Sequence, residues 1–274
     1  MERLHAKPHG NRLRTPILAL TLTYVAYLPA VDAAVPAAPL IAAHRGTTTG
    51  APENTLAAIR WASDFGADLI EADLRMSADG ALVLMHDDDV SRTTNGAGRV
   101  RDLSLGQLQG LDAGAGERVP TLTEAMVLLS NRPQRLLLDV KTGEPGLAPR
   151  LVEAVAAHGF ERRVLVGVRS VDLLKSLRSL SPELELLAMA PKPTDIKDFL
   201  EHRPQGVRLW ARWAQSDPDL ARTVRSRGAQ VWIMSGDRHP VQLRELFAVA
   251  DGFITDLPLE LRRFALLEQD IRQP

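Results

Sequence analysis

Leu40-Ile41-Ala42-Ala43-His44-Arg45-Gly46 is a short apolar run that ends abruptly in an imidazole, a guanidinium and a glycine. Such a run is long enough for a buried strand and too short for a helix. The same design recurs in Leu69-Ile70-Glu71-Ala72-Asp73, in Ala81–Met85 before His86, and in Arg135–Lys141 with Asp139 near its end. Further strand candidates are Arg163–Val168, Glu185–Met189, Gly206–Trp210, Val231–Met234 and Gly252–Thr255. Helical periodicity fills most gaps, over Asn54–Phe65, Leu122–Ser130, Ala148–His158, Asp172–Leu180, Thr194–Glu201, Asp217–Arg227 and Pro240–Ala250. Strand then helix, repeated without a linker, predicts one parallel sheet covered on both faces. For 274 residues a closed (β/α)8 TIM barrel fits better than the alternative, an open doubly wound sheet.

Two features disturb the ideal barrel. Nine strand candidates compete for eight places, so one of Gly206–Trp210 and Val231–Met234 is expected not to be a strand. Only Leu74–Gly80 joins the second candidate to the third. That link is too short for a crossover helix, so it is expected to run back extended, with a turn at Asp79-Gly80. Residues 87–119 are polar and glycine-rich, with Asn95-Gly96-Ala97-Gly98 and Ala113-Gly114-Ala115-Gly116. They read as an elaborated loop on the face where barrels set specificity.

The N-terminus reads as a signal peptide over residues 1–33, leaving a catalytic domain at 38–270. Arg3, Lys7, Arg12 and Arg14 precede an uncharged, mostly apolar run from Pro16 to Val31, and Val31-Asp32-Ala33 offers a cleavage site. The run is short against the about 20 residues of a membrane span. An uncleaved anchor is the rival reading. Cleavage predicts a secreted or periplasmic protein with no stable membrane insertion. Formal net charge is −1 with no charge block, which argues against a nucleic-acid partner. With no cysteine, disulfides and thiolate metal sites are excluded.

Strand alternation puts Glu71 and Asp73 on one face, and likewise Asp139 and Lys141. Three carboxylates converging at a barrel mouth would repel one another unless a cation sat between them. Oxygen-only ligands favour Mg²⁺ or Ca²⁺. His44 and His86 close two apolar runs and suit proton transfer near neutral pH. Arg45 offers a planar fork to phosphate oxygens and Lys141 a point charge, although charge balance for the acids competes for Lys141. Glu53 either touches substrate, orients Arg45 or is a first-turn acid. Trp210 and Trp213 read as packing residues; Trp232 ends a late strand and is a candidate for the pocket wall. The set points to metal-assisted cleavage of a phosphate ester.

These motifs, in order, resemble the glycerophosphodiester phosphodiesterases of the PLC-like phosphodiesterase superfamily: His44-Arg45-Gly46, Ala51-Pro52-Glu53-Asn54-Thr55, Glu71-Ala72-Asp73, Asp79-Gly80, His86-Asp87, Arg92–Gly96, Val119–Leu122 and Gly252–Asp256. The resemblance implies a metal-dependent TIM-barrel hydrolase, using Ca²⁺ or Mg²⁺, that releases sn-glycerol 3-phosphate and an alcohol from a small-molecule glycerophosphodiester. By position it places Glu71, Asp73 and Asp139 on metal ligands. His44 and His86 fall on the acid/base pair, and Arg45 and Lys141 on phosphate contacts. Analogy with related barrel phospholipases makes His44 the base and His86 the acid. Two departures stand out. The family usually has Glu at the position of Asp139, and Met234-Ser235-Gly236 replaces a common Thr-Val-Asn. The segment Leu138–Gly143 is similar to sphingomyelinase D-type lipases, which makes a lysophospholipase D-like lipase the second reading; their disulfide-closed loop has no cysteine here. A non-catalytic phosphate-binding barrel is the third.

Overall fold

The computed structural model describes residues 38–272 apart from Thr142, and side chains as far as Glu268. The leader expected over 1–33 lies outside the described residues. Among those described, no helix is long and apolar enough to cross a membrane.

All nine strand candidates form, including both of the late pair of which one was expected to drop out: β1 (Leu40–Ala43), β2 (Leu69–Met76), β3 (Leu82–Leu84), β4 (Arg135–Val140), β5 (Val164–Val168), β6 (Glu185–Ala188), β7 (Gly206–Trp210), β8 (Gln230–Gly236) and β9 (Gly252–Thr255). Eight of them pair in parallel in the ring order β1, β2, β4, β5, β6, β7, β8, β9, and β9 returns to β1. The helices α1 (Leu56–Asp64), α2 (Leu105–Gln109), α3 (Leu122–Leu129), α4 (Leu147–Ala157), α5 (Val171–Leu180), α6 (Ile196–Leu200), α7 (Ala211–Ser216), α8 (Asp219–Ser226) and α9 (Pro258–Arg272) lie between or after the strands. The expected helix at Pro240–Ala250 is a 3-10 segment, Pro240–Ala248.

The surplus strand is β3, not one of the late pair. It folds back antiparallel on the second half of β2, with Leu74 opposite Leu84 and Met76 opposite Leu82. The expectation of an extended return to a parallel third strand is therefore wrong. Physically, β2 runs three residues further than expected and leaves only Ser77–Ala81, which makes a tight hairpin. Ser77 Oγ donates to Asp79 Oδ1 at 2.6 Å and accepts from Ala81 N at 2.8 Å, while Gly80 takes φ +84°.

Two apolar layers fix which residues face the barrel interior. Outward residues such as Ile70, Leu138, Val166, Val207 and Ile233 pack with the helices in one large core. Inward residues Ala42, Leu69, Leu137, Leu165, Leu187, Met189, Trp232 and Ile254 form a second core that plugs the barrel floor. Above this plug the inward side chains turn polar. Residues 87–119 build a third small core from Val90, Val100, Leu108, Ala113 and Val119 with Val83 and Met85. That loop therefore buries its apolar residues, and none of the large exposed hydrophobic side chains lies within it.

Candidate active site

The inward positions one layer above the plug are Glu71 and Asp73 of β2 and Asp139 of β4. All three are at least 95 % buried, and each offers a carboxylate oxygen within 4.8 Å of the others. Direct pairing of β2 with β4, which sets Asp73 opposite Asp139, produces this convergence. Burial and the neighbouring Asp73 push the Glu71 carboxyl up to about 8, so on its own it keeps its proton near neutrality. Asp139 goes the other way. Burial opposes its ionisation, but Arg169 and Lys141 overcome this and hold it at about 2. Arg169, the first residue after β5, grips it with two bonds, Nε to Oδ1 at 2.9 Å and Nη2 to Oδ2 at 2.6 Å. Lys141 Nζ sits between two acids, 2.5 Å from Asp139 Oδ2 and 2.7 Å from Asp73 Oδ1.

The loop after β1 is tied to this cluster by its backbone. Arg45, at φ 53°, donates its N–H to Glu71 Oε2 at 2.7 Å, and Gly46 N donates to Glu71 O at 3.0 Å. Gly46 is obligatory: a Cβ there would lie 2.7 Å from the Ala58 carbonyl carbon of α1, and its φ is +78°. Asn54, also at positive φ, brackets Asp73: Nδ2 donates to Asp73 Oδ2 at 2.7 Å and Oδ1 accepts from Asp73 N at 3.0 Å. The Arg45 guanidinium lies over the cluster, with Nε 3.5 Å from Asp73 Oδ2 and Nη1 donating to Glu53 Oε1 at 2.8 Å. Both Glu53 oxygens are engaged, since Arg92 bonds each of them, at 2.6 and 3.1 Å. Glu53 therefore orients Arg45.

Each histidine is half of an Asp–His pair. His44 Nδ1 is 2.7 Å from Asp256 Oδ1, the residue following β9, which leaves Nε2 facing Glu71 Oε2 at 4.0 Å. His86 Nδ1 is 2.6 Å from Asp87 Oδ1, and Arg92 pairs with the other Asp87 oxygen. Burial lowers the affinity of His44 for a proton, but Glu71 and Asp256 outweigh it and the pKa is raised. For His86 burial wins, despite Asp73 and Asp87, and the pKa is lowered. In the cation-free protein His44 is thus biased toward imidazolium and His86 toward neutral imidazole, the reverse of the order expected by analogy. The His44 side chain is 14 % exposed and that of His86 32 %, so His86 stands nearer the rim.

One expected residue lies elsewhere. Trp232 is 1 % exposed and belongs to the floor plug, with Nε1 donating to Gln230 Oε1 at 3.1 Å. A Cβ on Gly252 would come within 2.6 Å of its ring. The expectation that it lines the pocket is wrong because it sits two positions before the end of the inward row of β8, one layer below the carboxylates. Residues not singled out from the sequence include Arg169, Asn54 and Asp256 in the cluster itself, together with Arg92. Arg169 ends an apolar run just as His44 does, and that signal was available.

The trio fits a divalent cation. Asp73 Oδ1 receives no aligned hydrogen bond although it is buried, and Asp139 Oδ1 accepts only one. Lone pairs therefore remain on both acids. Glu71 keeps its proton because burial and Asp73 outweigh His44 and Lys141, a balance that a cation between the three acids would reverse.

The chain is similar to known proteins in sequence and in fold. The pattern of the Glycerophosphoryl diester phosphodiesterase family matches residues 44–260. A glycerophosphodiester phosphodiesterase of Caldanaerobacter subterraneus subsp. tengcongensis is 33 % identical over 229 residues, covering 80 % of this chain and 94 % of that protein. The Agrobacterium tumefaciens glycerophosphodiester phosphodiesterase structure superposes with TM-score 0.71 at 27 % identity, covering 82 % of this chain and 99 % of that one. An Oleispira antarctica phosphodiesterase, solved with the product sn-glycerol-3-phosphate, gives TM-score 0.75 at 27 % identity over 84 % of this chain and 97 % of that one. A barrel with a carboxylate trio, two Asp–His pairs and a family pattern spanning both marks this chain as a member of the glycerophosphoryl diester phosphodiesterase family.

Proposed function

We propose that the protein hydrolyses glycerophosphodiesters to sn-glycerol 3-phosphate and an alcohol, in a reaction that needs a divalent cation, Mg²⁺ or Ca²⁺. The observation that carries this is the joint presence of a three-carboxylate pocket and two carboxylate-backed imidazoles at one barrel mouth. Glu71, Asp73 and Asp139 would hold the cation, which would supply charge stabilisation for the phosphoryl oxygens and lower the pKa of a nearby hydroxyl. Arg45 and Lys141 bind the remaining phosphate oxygens, with Glu53 and Arg92 locking Arg45 in place. His44, whose Nε2 faces the carboxylate side, takes the proton from the glycerol 2-hydroxyl, whose oxygen attacks phosphorus and displaces the alcohol; the resulting cyclic phosphate is then opened by water to glycerol 3-phosphate. His86, nearer the rim where the alcohol departs, returns a proton to the leaving oxygen. Asp256 and Asp87 fix each ring with Nδ1 toward the carboxylate and Nε2 free. The charged leader and apolar run support export, with the enzyme acting in the periplasm or outside the cell.

The test is a turnover screen on chelator-treated protein with Mg²⁺ or Ca²⁺ restored, reading free glycerol 3-phosphate from several glycerophosphodiesters. Hydrolysis that disappears with chelator and in folded His44→Ala and His86→Ala proteins is expected. Wild-type-like turnover in either variant, or none in the metal-loaded wild type, overturns the reading. Burial of the apolar residues of 87–119 gives no support to a lipase that docks on membranes through this loop.

A further inference from the structure

Arg208 is a charged residue in the middle of an otherwise apolar strand, β7. Its neighbours Val207 and Leu209 pack outward among the helices, so Arg208 points into the barrel. It is 2 % exposed, and its Nη1 is buried without a hydrogen-bond partner. Among the described residues no carboxylate pairs with it. Its guanidinium lies over the Trp210 ring at 4.6 Å and reaches Trp213 at 5.9 Å. Stacking holds the guanidinium plane but leaves its in-plane N–H groups open. A second guanidinium, Arg212, sits over the same Trp210 ring at 5.5 Å. Burial is the main influence pulling the Arg208 pKa down, to about 10; nearby Arg169 and Arg212 add to it, and the Asp139 carboxylate, which makes no ion pair with it, opposes them. A buried cation with no bonded counter-ion is costly, and such groups are kept where a ligand completes them.

β7 stands four places round the eight-stranded ring from β2. β7 thus faces β2 across the barrel, and a substrate whose phosphodiester lies over Glu71, Asp73 and Arg45 can extend one half toward Arg208. The glycerol half of a glycerophosphodiester carries no charge, so an anion for Arg208 must come from the alcohol half. We propose that Arg208, stacked on Trp210 and backed by Arg212, anchors a second anion subsite that takes a carboxylate or phosphate on the alcohol moiety of the substrate. This rests on the glycerophosphodiesterase reading of the mouth. It makes the enzyme selective for anionic head groups and poor on cationic ones such as choline.

The experiment compares kcat/KM for glycerophosphoserine, glycerophosphoethanolamine and a glycerophosphodiester whose alcohol ends in a phosphomonoester, in wild type and Arg208→Gln. Serine and ethanolamine diesters differ only by the carboxylate. Wild type should favour at least one anionic diester over the ethanolamine one by about tenfold, as a charge-assisted hydrogen bond provides. Whichever anionic diester is preferred identifies the group. In Arg208→Gln that ratio should fall toward one, through KM, with Tm equal to or above wild type. A Tm loss with an equal drop on all diesters would assign Arg208 to structure and overturn the proposal, as would a wild type without preference. Calorimetric binding of O-phosphoserine against phosphoethanolamine decides the subsite independently of turnover. A preference for O-phosphoserine lost in Arg208→Gln supports a carboxylate ligand, and equal affinities together with no wild-type preference for the phosphomonoester diester sink the proposal. Failure to turn over any diester is instead a failure of the enzymatic reading.

Discussion

Glu71 shows how far a single proton can report on this site. Below about pH 4.5 folded and unfolded chains both hold it, and between there and about 8 only the folded chain does. The folded state therefore loses stability relative to the unfolded one as pH rises through that window. Glu71→Gln removes this loss. In cation-free protein the Tm advantage of the variant should grow from pH 5 to pH 8, reaching at least about 2 °C. Adding Mg²⁺ or Ca²⁺ at pH 8 should raise the wild-type Tm and move that of the variant much less. A constant Tm difference across the pH range would show that Glu71 is ionised without a cation. The histidine roles are separable at the same scale. An activated diester with a nitrophenol leaving group needs no general acid, so His86→Ala should recover most of its activity on it, while His44→Ala should not. Recovery in the opposite variant would exchange the two assignments, in line with the proton bias of the cation-free protein.

At the scale of elements, the hairpin of β2 with β3 is the departure from a plain barrel that matters most for chemistry. β3 does not close the ring; it delivers His86 to the mouth. The delivery is braced from β2, where Arg75 donates to the His86 carbonyl through Nε at 3.1 Å and Nη2 at 2.7 Å. Arg75 follows Asp73 on the inward-facing row of β2 but, among the described residues, hydrogen-bonds none of the three acids, so Arg75→Met should lower kcat by roughly tenfold or more through misplacement of His86. Cation affinity, read by calorimetry, should stay within about twofold of wild type. Equal loss of both would mean that Arg75 supports the whole mouth. The position of His86 at the end of an apolar run was legible in the sequence, as were the places of the nine strand candidates, although one of the late pair was expected to drop out and both are strands. The direction of β3 was not, because period-two alternation is the same for parallel and antiparallel pairing. The short link was the available signal: a connection without a helix favours a hairpin. Glu71, Asp73, Asp139 and Lys141 were legible for the same local reason, since parity within one strand fixes their shared face. Arg169, Asn54 and Asp256 were harder, because their role is a contact across the ring.

For the whole molecule, the barrel separates a stability floor from a chemical mouth, and a residue's height along its strand decides which it serves. Trp232 reads from sequence as a strand-end aromatic, yet its height assigns it to the floor, where Gly252 and Gly206 make room for its ring. Height is a property of the shear between strands, which no single strand encodes. The floor is also laced by polar side chains standing just before three of the strands, β2, β7 and β9. Asp68 Oδ2 accepts from Ile41 N of the neighbouring β1 at 2.8 Å, Gln205 Oε1 from Leu186 N at 2.8 Å and Asp251 Oδ2 from Val231 N at 2.7 Å. Asp68 additionally receives Arg262 of α9 at 2.5 Å and so fastens the last helix to the seam between first and second strands. Asp68→Ala leaves the Ile41 N–H and the Arg262 guanidinium without this acceptor. The expected cost is about 1–3 kcal/mol, or a Tm lower by roughly 2–10 °C. Because Asp68 lies at the opposite end of the strands from the carboxylate trio, kcat, KM and cation affinity measured well below the new Tm should match wild type. A fall in kcat with an unchanged Tm would mean that the floor and the mouth are mechanically coupled, and that the division of labour along the strands does not hold.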